Sequence, residues 1–306
     1  MNETPPEPAA SAKPSRRSMR ERLDVLLVAR GLAPSRERAR ALIMAGAARV
    51  DGKPVAKPGT LVAQDAAIAL AGESAELRYA SRGGLKLEHA LDAFALDPAG
   101  LVCLDVGAST GGFTDVLLRR GAARVYAVDV GHGQLAWALR TDARVVVMER
   151  TNIRHLALLP EPVACAVIDV SFISLRLVLP PVAALVAALV APGGWVVALV
   201  KPQFEAGRAE ADRGAGVITD PQVHRRVLRE LLAWIEGHER RLVARGLAAS
   251  PITGREGNRE YLLRLDVQAP GTTTDGATVG GATVDERQIE AVVAVAFGSE
   301  GPAERA

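Results

Sequence analysis

Between Leu101 and Pro202 short apolar runs recur with the punctuation of an open α/β sheet: LVCLDVG, TDVLLRRG, RVYAVDVG, LAWALR, VVVMER, ACAVIDVS, an apolar stretch and WVVALVKP. Runs such as VVVM and WVVALV are apolar at every position rather than every second one, which is the pattern of strands covered on both faces. The alternation predicts a parallel sheet with helices on both sides, whose ligands bind beyond the carboxyl ends of the strands. Strand ends are therefore the candidate positions for functional residues.

The first such turn, LDVGASTGGFTD, sets Gly107, Gly111 and Gly112 where a strand gives way to a helix, so that backbone can approach a ligand closely. Its spacing is neither the G-x-G-x-x-G dinucleotide fingerprint nor a P-loop, since no Lys follows. Asp129 ends the next strand, 22 residues after Gly107, where a carboxylate can hold the hydroxyls of a ribose. A nucleoside ligand such as S-adenosylmethionine fits this pattern better than a nicotinamide dinucleotide. Asp169 and Lys201 close the strands VIDV and WVVALV, each a charge directly after an apolar run. Lys86 in SRGGLKLEHAL and Glu260 in GNREYLL, taken singly, read as solvated positions.

Other functions find less support. Leu177–Val200 runs without a charge for the length of a bilayer span, but Pro180-Pro181 and Pro192-Gly193-Gly194 divide it, which predicts a buried helix followed by a strand. The five His residues show no metal-ligand spacing, so no metal is expected, and Ser171 and Ser174 lack the elbow of a serine hydrolase. Cys103 and Cys165 sit in apolar runs and read as small buried hydrophobes, and the N-terminus has no apolar signal core. Both fit a cytoplasmic location.

Charge is unevenly spread. The chain carries a net +2, yet residues 11–60 hold twelve Lys or Arg against four Asp or Glu, a local excess of +8. Helical patterns over Glu21–Ala29 and over RERARALIMAG, the latter capped by Ser35, precede an Asp51-Gly52 turn and the strand-like AAIAL. Arg20, Arg22, Arg36, Arg38, Arg40 and Lys53 are the candidate nucleic-acid contacts, because phosphate binding by such a cluster is salt-dependent and largely independent of sequence.

The segments SRGGLKLEHAL, VCLDVGASTGGFTD, VYAVDVG, ERTNIR, VIDVSFISL and LVKPQFE, in that order, resemble the hemolysin A (TlyA) family of FtsJ-like ribosomal RNA methyltransferases. RLDVLLVARGLAPSRERARALIMAGAARVDGKPV resembles the RNA-binding module named after ribosomal small-subunit protein four. The resemblance implies a Rossmann-like class I methyltransferase sheet ending in an antiparallel hairpin, fused to a small N-terminal α+β RNA-binding domain. Expected boundaries are a disordered basic tail over 1–18, the RNA-binding domain over 19–72, a linker over 73–80, the methyltransferase domain over 81–266, and a Gly/Thr-rich loop with a last helix over 267–306.

The same resemblance implies that S-adenosylmethionine sits on Asp105, Gly107, Ala108, Ser109, Thr110, Gly111, Gly112 and Phe113, with Asp129 at its ribose and Asn152 and Ile153 near its adenine. The family's catalytic Lys-Asp-Lys-Glu set falls on Lys86, Asp169, Lys201 and Glu260. The implied reaction is 2′-O-methylation of ribose, at a cytidine, in the ribosomal RNA of ribosomal subunits, with no membrane partner. Other readings are a non-catalytic RNA-binding or assembly factor, a membrane-active hemolysin-like protein and a nicotinamide-dependent reductase.

Overall fold

A computed structural model describes residues 19–33, 36–44, 46–70, 78–186, 194–207, 210, 214, 216–254, 257–268 and 283–298. The expected tail, most of the linker, the Gly/Thr-rich loop and the Ser35 cap lie outside these residues. The chain divides into two compact units, Met1–Ser74 and Ala75–Ala306.

In the first unit, β1 (Arg20–Arg22) leads into α1 (Leu23–Ala29), and α2 (Arg36–Met44) packs against it. Strands β2 (Ala48–Val50), β3 (Lys53–Pro54), β4 (Leu61–Ala63) and β5 (Ile68–Leu70) follow. The helix expected from Glu21 starts two residues late, because Arg20–Arg22 pairs antiparallel with Leu61–Ala63, a strand that the sequence pattern does not announce. β2 lies between β3 and β5. Leu23, Leu27, Ala39 and Ile43 are wholly buried between helices and strands.

Asp24 is buried too, and its carboxylate receives two hydrogen bonds of 2.9 Å from Arg22 and one of 3.3 Å from Arg36. These guanidinium groups, Arg22 foremost, hold its pKa down to about 2 against the opposing effect of burial. Two of the arginines expected to face RNA therefore also fasten the module. Arg20, Arg36, Arg40 and Lys53 are exposed; the Arg38 side chain lies outside the described residues.

The second unit begins with α3 (Gly83–Ala93) and alternates through β6 (Val102–Val106), α4 (Gly112–Arg119), β7 (Arg124–Val128), α5 (Trp137–Arg140), β8 (Val145–Met148), β9 (Cys165–Ile168), α6 (Leu179–Leu185) and β10 (Trp195–Val200). After α7 (Pro202–Glu205) and α8 (Pro221–His238) come β11 (Leu242–Ala249), β12 (Tyr261–Val267) and α9 (Glu286–Ala296). The seven strands stand in the order β11-β12-β10-β9-β6-β7-β8. Five are parallel, and β12 runs antiparallel to both β10 and β11. This is the mostly parallel sheet with a terminal antiparallel hairpin that the resemblance implies.

Successive side chains of a strand point to opposite faces, so β6 sends Cys103 to the layer of Leu87, Leu91, Val116 and Leu117, and Leu104 to the layer of Val182, Leu231, Ile235 and Val293. Both cysteines are buried and free, side by side in register, with their sulfur atoms 3.0 Å apart. The described parts of the long apolar stretch join the core around the sheet: α6 spans seven residues, Val186 makes a bridge to Val163, and all six residues of β10 are buried between β9 and β12. Among the described residues no helix is long and apolar enough to cross a membrane.

The last helix docks on α8 and β11. Asp285 caps it by accepting from the Gln288 N–H at 2.9 Å, and Arg225 and Arg229 of α8 pair with Glu290 at 2.6 and 3.0 Å. Leu104 is fully buried in the central strand. Leu104→Ala is expected to lower unfolding free energy by about 2–5 kcal/mol, the cost of a core cavity, as measured by urea denaturation.

Candidate active site

The sheet order reverses at β6, which has β7 on one side and β9 on the other, and the crossovers on its two sides leave a crevice at the carboxyl ends. Gly107 follows β6 there with φ +86°, and a β-carbon at this position would stand 2.3 Å from the Asp169 carbonyl oxygen. Only glycine permits that approach. Gly111, at φ +94°, brings the turn equally close to Leu139, and Gly112 opens α4 against the Ser81 hydroxyl.

Asp129 lies beyond the end of β7, and its two carboxylate oxygens accept from the Ser109 N–H at 2.8 Å and the Gly131 N–H at 2.7 Å. Each oxygen retains acceptor capacity for a ligand hydroxyl. A small pocket beside it is lined by Ala108, Ser109, Asp129, Gly131, Gln134, Leu135 and Glu149, among others. Thr110 contributes its carbonyl to the Ala136 N–H.

Asp105 and Phe113 support this turn from beneath: Phe113 is core, and Asp105 is wholly buried, with one oxygen on the Thr114 hydroxyl at 2.6 Å and the other without a hydrogen-bond partner. Asn152 and Ile153 do not line the pocket. Asn152 caps the short turn Ile153–His155 and Ile153 is buried in the core, although the Thr151 N–H ties this segment to the Asp129 carbonyl at 2.9 Å.

Burial pushes the Asp105 carboxyl up to about 7; the Thr114 hydrogen bond opposes this, and the charges of Asp169 and Asp129 add to it. Asp105 and Asp129 thus stand near Asp169 at one sheet edge; with Asp105 protonated and Asp169 matched by a lysine, the Asp129 carboxylate favours a ligand carrying positive charge and opposes a pyrophosphate.

Beside them the four expected charged residues come together in two pairs. Lys201 Nζ lies 2.7 Å from Asp169 and 2.9 Å from the Ser171 hydroxyl, and Lys86 Nζ is paired with Glu260. Lys86, Lys201 and Glu260 are buried. Burial raises the Glu260 pKa against the pull of Lys86 and of Lys201, so the second lysine is close enough to be felt. Gly254 makes room for Glu260, since a β-carbon there would meet its Oε1 at 2.4 Å. Among the described residues no group of three or more side chains could hold a metal ion.

The sequence pattern missed Ser171, whose hydroxyl helps fix Lys201, and the aromatic pair Phe172–Phe204, with ring centroids 5.1 Å apart. Phe172 is 91% exposed at φ +64°, and the Phe204 ring lies 5.9 Å from Lys201 Nζ. The available signal was the placement of both aromatics three residues beyond a strand-terminal charge, Asp169 or Lys201.

The FtsJ-like methyltransferase signature matches residues 79–267, more than half of the chain, and an S4 domain signature matches residues 21–68. The chain belongs to the FtsJ-like methyltransferase family. It is 49% identical over 253 residues, 81% of its own length and 91% of the relative's, to the 16S/23S rRNA (cytidine-2′-O)-methyltransferase TlyA of Mycobacterium tuberculosis. It is 37% identical over 80% of its length and 99% of the relative's to Hemolysin A of Brachyspira hyodysenteriae. A solved structure from Streptococcus thermophilus, provisionally named a hemolysin, superposes with a TM-score of 0.67 at 41% identity, covering 92% of this chain and 97% of that one.

The raised Asp105 pKa gives this FtsJ-like methyltransferase a stability signature. Asp105 holds its proton in the folded state to about pH 7, whereas in the unfolded chain it releases it near pH 4, so its contribution is full at low pH and is lost between these values as pH rises. Urea denaturation at about pH 5 and about pH 8 is expected to show Asp105→Asn gaining on the wild type at the higher pH.

Proposed function

We propose that this chain catalyses S-adenosylmethionine-dependent 2′-O-methylation of ribose, at a cytidine, in ribosomal RNA. The observation that carries the reading is two ion pairs set at the carboxyl edge beside the Gly107 turn, Lys86–Glu260 buried and Lys201–Asp169 half-buried. The substrate class named for the Mycobacterium tuberculosis relative supports it, as does the match of residues 21–68 to the S4 domain.

The residues present suit the cofactor. Gly107 leaves backbone open at the switch point, and Asp129 faces the small pocket with its acceptors aligned by two backbone N–H groups and a negative charge that favours a cation. When bound, S-adenosylmethionine supplies an electrophilic methyl group on a sulfur that leaves neutral, so no acid is needed on that side.

The protein's task falls on the nucleophile. A ribose hydroxyl is barely ionised near neutral pH, and its oxygen becomes more acidic only as the bond to carbon forms. Lys201 donates a hydrogen bond to that oxygen and meets its developing negative charge, and the proton passes to water. Asp169 and Ser171 fix the Lys201 ammonium in direction, while Glu260 holds Lys86 as a second cation near the oxygen. Phe172, exposed beside Lys201, offers an aromatic face to an unstacked base. The basic N-terminal module adds salt-dependent affinity for the RNA backbone.

Labelled-methyl transfer to unmodified ribosomal subunits, followed by mapping of 2′-O-methyl sites, tests the reading. Wild-type protein is expected to label discrete ribose positions, and Lys201→Ala to lower kcat by about 10²–10³-fold while still binding S-adenosylmethionine. Undiminished transfer by Lys201→Ala removes the assigned mechanism; tight ribosome binding without any transfer turns the reading to a binding factor.

A further inference from the structure

A second cleft, of about 380 Å³, opens on the hairpin side of Glu260. Its polar wall is His89, Thr253 and Arg259, and its apolar wall is Pro251, Ile252 and Val295. Three elements converge on it. His89 stands one turn beyond Lys86 on α3, the Ser250–Thr253 loop follows β11, and Val295 comes from the end of the last helix. The cleft and the charged cluster share one residue, Glu260.

We propose that this cleft is a subsite for a single unpaired ribonucleotide adjoining the one that is methylated, an inference that rests on the RNA 2′-O-methylation reading above. Its volume lies at the low end of the roughly 300–1,000 Å³ typical of small-molecule pockets, which suits one nucleotide and excludes a base pair. Glu260 contributes little free charge, because it is matched by Lys86. Arg259 therefore leaves the cleft with a positive balance, as a phosphodiester requires.

The guanidinium is set in place for this. Arg259 Nε donates to the Ala296 carbonyl at 2.6 Å, and the group lies 4.2 Å from the centroid of the Phe297 ring. Among the described residues its two terminal nitrogens make no other hydrogen bond, and neither does the Thr253 hydroxyl or the exposed His89 ring. A fork held by its Nε and open at its ends is the arrangement that binds phosphate oxygens in two places. Pro251, Ile252 and Val295 then meet the base or the sugar.

The last helix thereby acquires a role in the site. It anchors Arg259 through Ala296 and Phe297, and it walls the cleft through Val295, which is 63% exposed. Because Arg259 directly precedes Glu260, a nucleotide held here keeps its neighbour at the charged cluster. Unstacked nucleotides read one at a time are the usual mode of RNA recognition outside helices.

Steady-state kinetics on unmodified ribosomal subunits with the full-length chain tests the subsite. Val295→Trp, which fills the cleft from an exposed position, is expected to raise KM for the subunits about tenfold, the size of one lost nucleotide contact, with kcat and S-adenosylmethionine affinity within about twofold of wild type. Arg259→Gln is expected to make the plot of log(kcat/KM) against log[salt] shallower by about 0.7, the share of one single-strand phosphate contact. A lower kcat at constant KM in Val295→Trp, or no kinetic change, overturns the subsite, as does an unaltered salt slope in Arg259→Gln. Absence of transfer by the wild type overturns the activity reading itself, whereas wild-type transfer with kinetically silent cleft variants overturns the subsite alone.

Discussion

Everything at this site depends on how closely two strand ends approach. β6 and β9 are neighbours in the sheet, and the chain leaves β6 through Gly107 directly against the Asp169 backbone, at a separation that no β-carbon tolerates. That contact sets the glycine turn, where a nucleoside can lie, beside the strand end that carries Asp169. Lys201, from the next strand, reaches Asp169 within an ion-pair distance. A side chain at 107 would pry apart the two halves that the proposed chemistry needs adjacent.

The second constraint is electrostatic. Two lysines and a glutamate are buried together, a costly arrangement unless each charge is matched. Here each lysine has its own carboxylate, and Ser171 adds a hydrogen bond to Lys201. Such matching gains little stability over an apolar core, but it fixes where positive charge points. Asp129, held on the Ser109 N–H of the glycine turn, supplies a charge of opposite sign there. The edge is thereby divided into a side suited to a cation and a side suited to a developing oxyanion.

The sheet was legible because strands covered on both faces leave unbroken apolar runs, and the crossover rule then fixes which ends face the ligand. Asp169 and Lys201 are legible as charges that close apolar strands, whereas Lys86 and Glu260, ordinary on their own, are placed only by resemblance. Their burial follows from pairing over 174 residues of sequence, which no local pattern records. The helical pattern reaches back to Glu21, whereas Glu21 and Arg22 belong to a strand that exists only because β4, distant in sequence, pairs with it. Phe113 and Ile153, which the resemblance sets at the ligand, turn their side chains into the core. The cleft beside Glu260 was invisible because its walls come from three distant segments.

The central claim is that Asp169 acts through Lys201, and a double-mutant cycle on kcat addresses it directly. Asp169→Asn, Lys201→Gln and the double variant are compared for methyl transfer to ribosomal subunits. If the carboxylate serves only to orient and hold the ammonium, the double variant is no slower than Lys201→Gln alone, a strongly non-additive result. Additive losses would mean that the two residues act on the reaction independently, and would contradict the account.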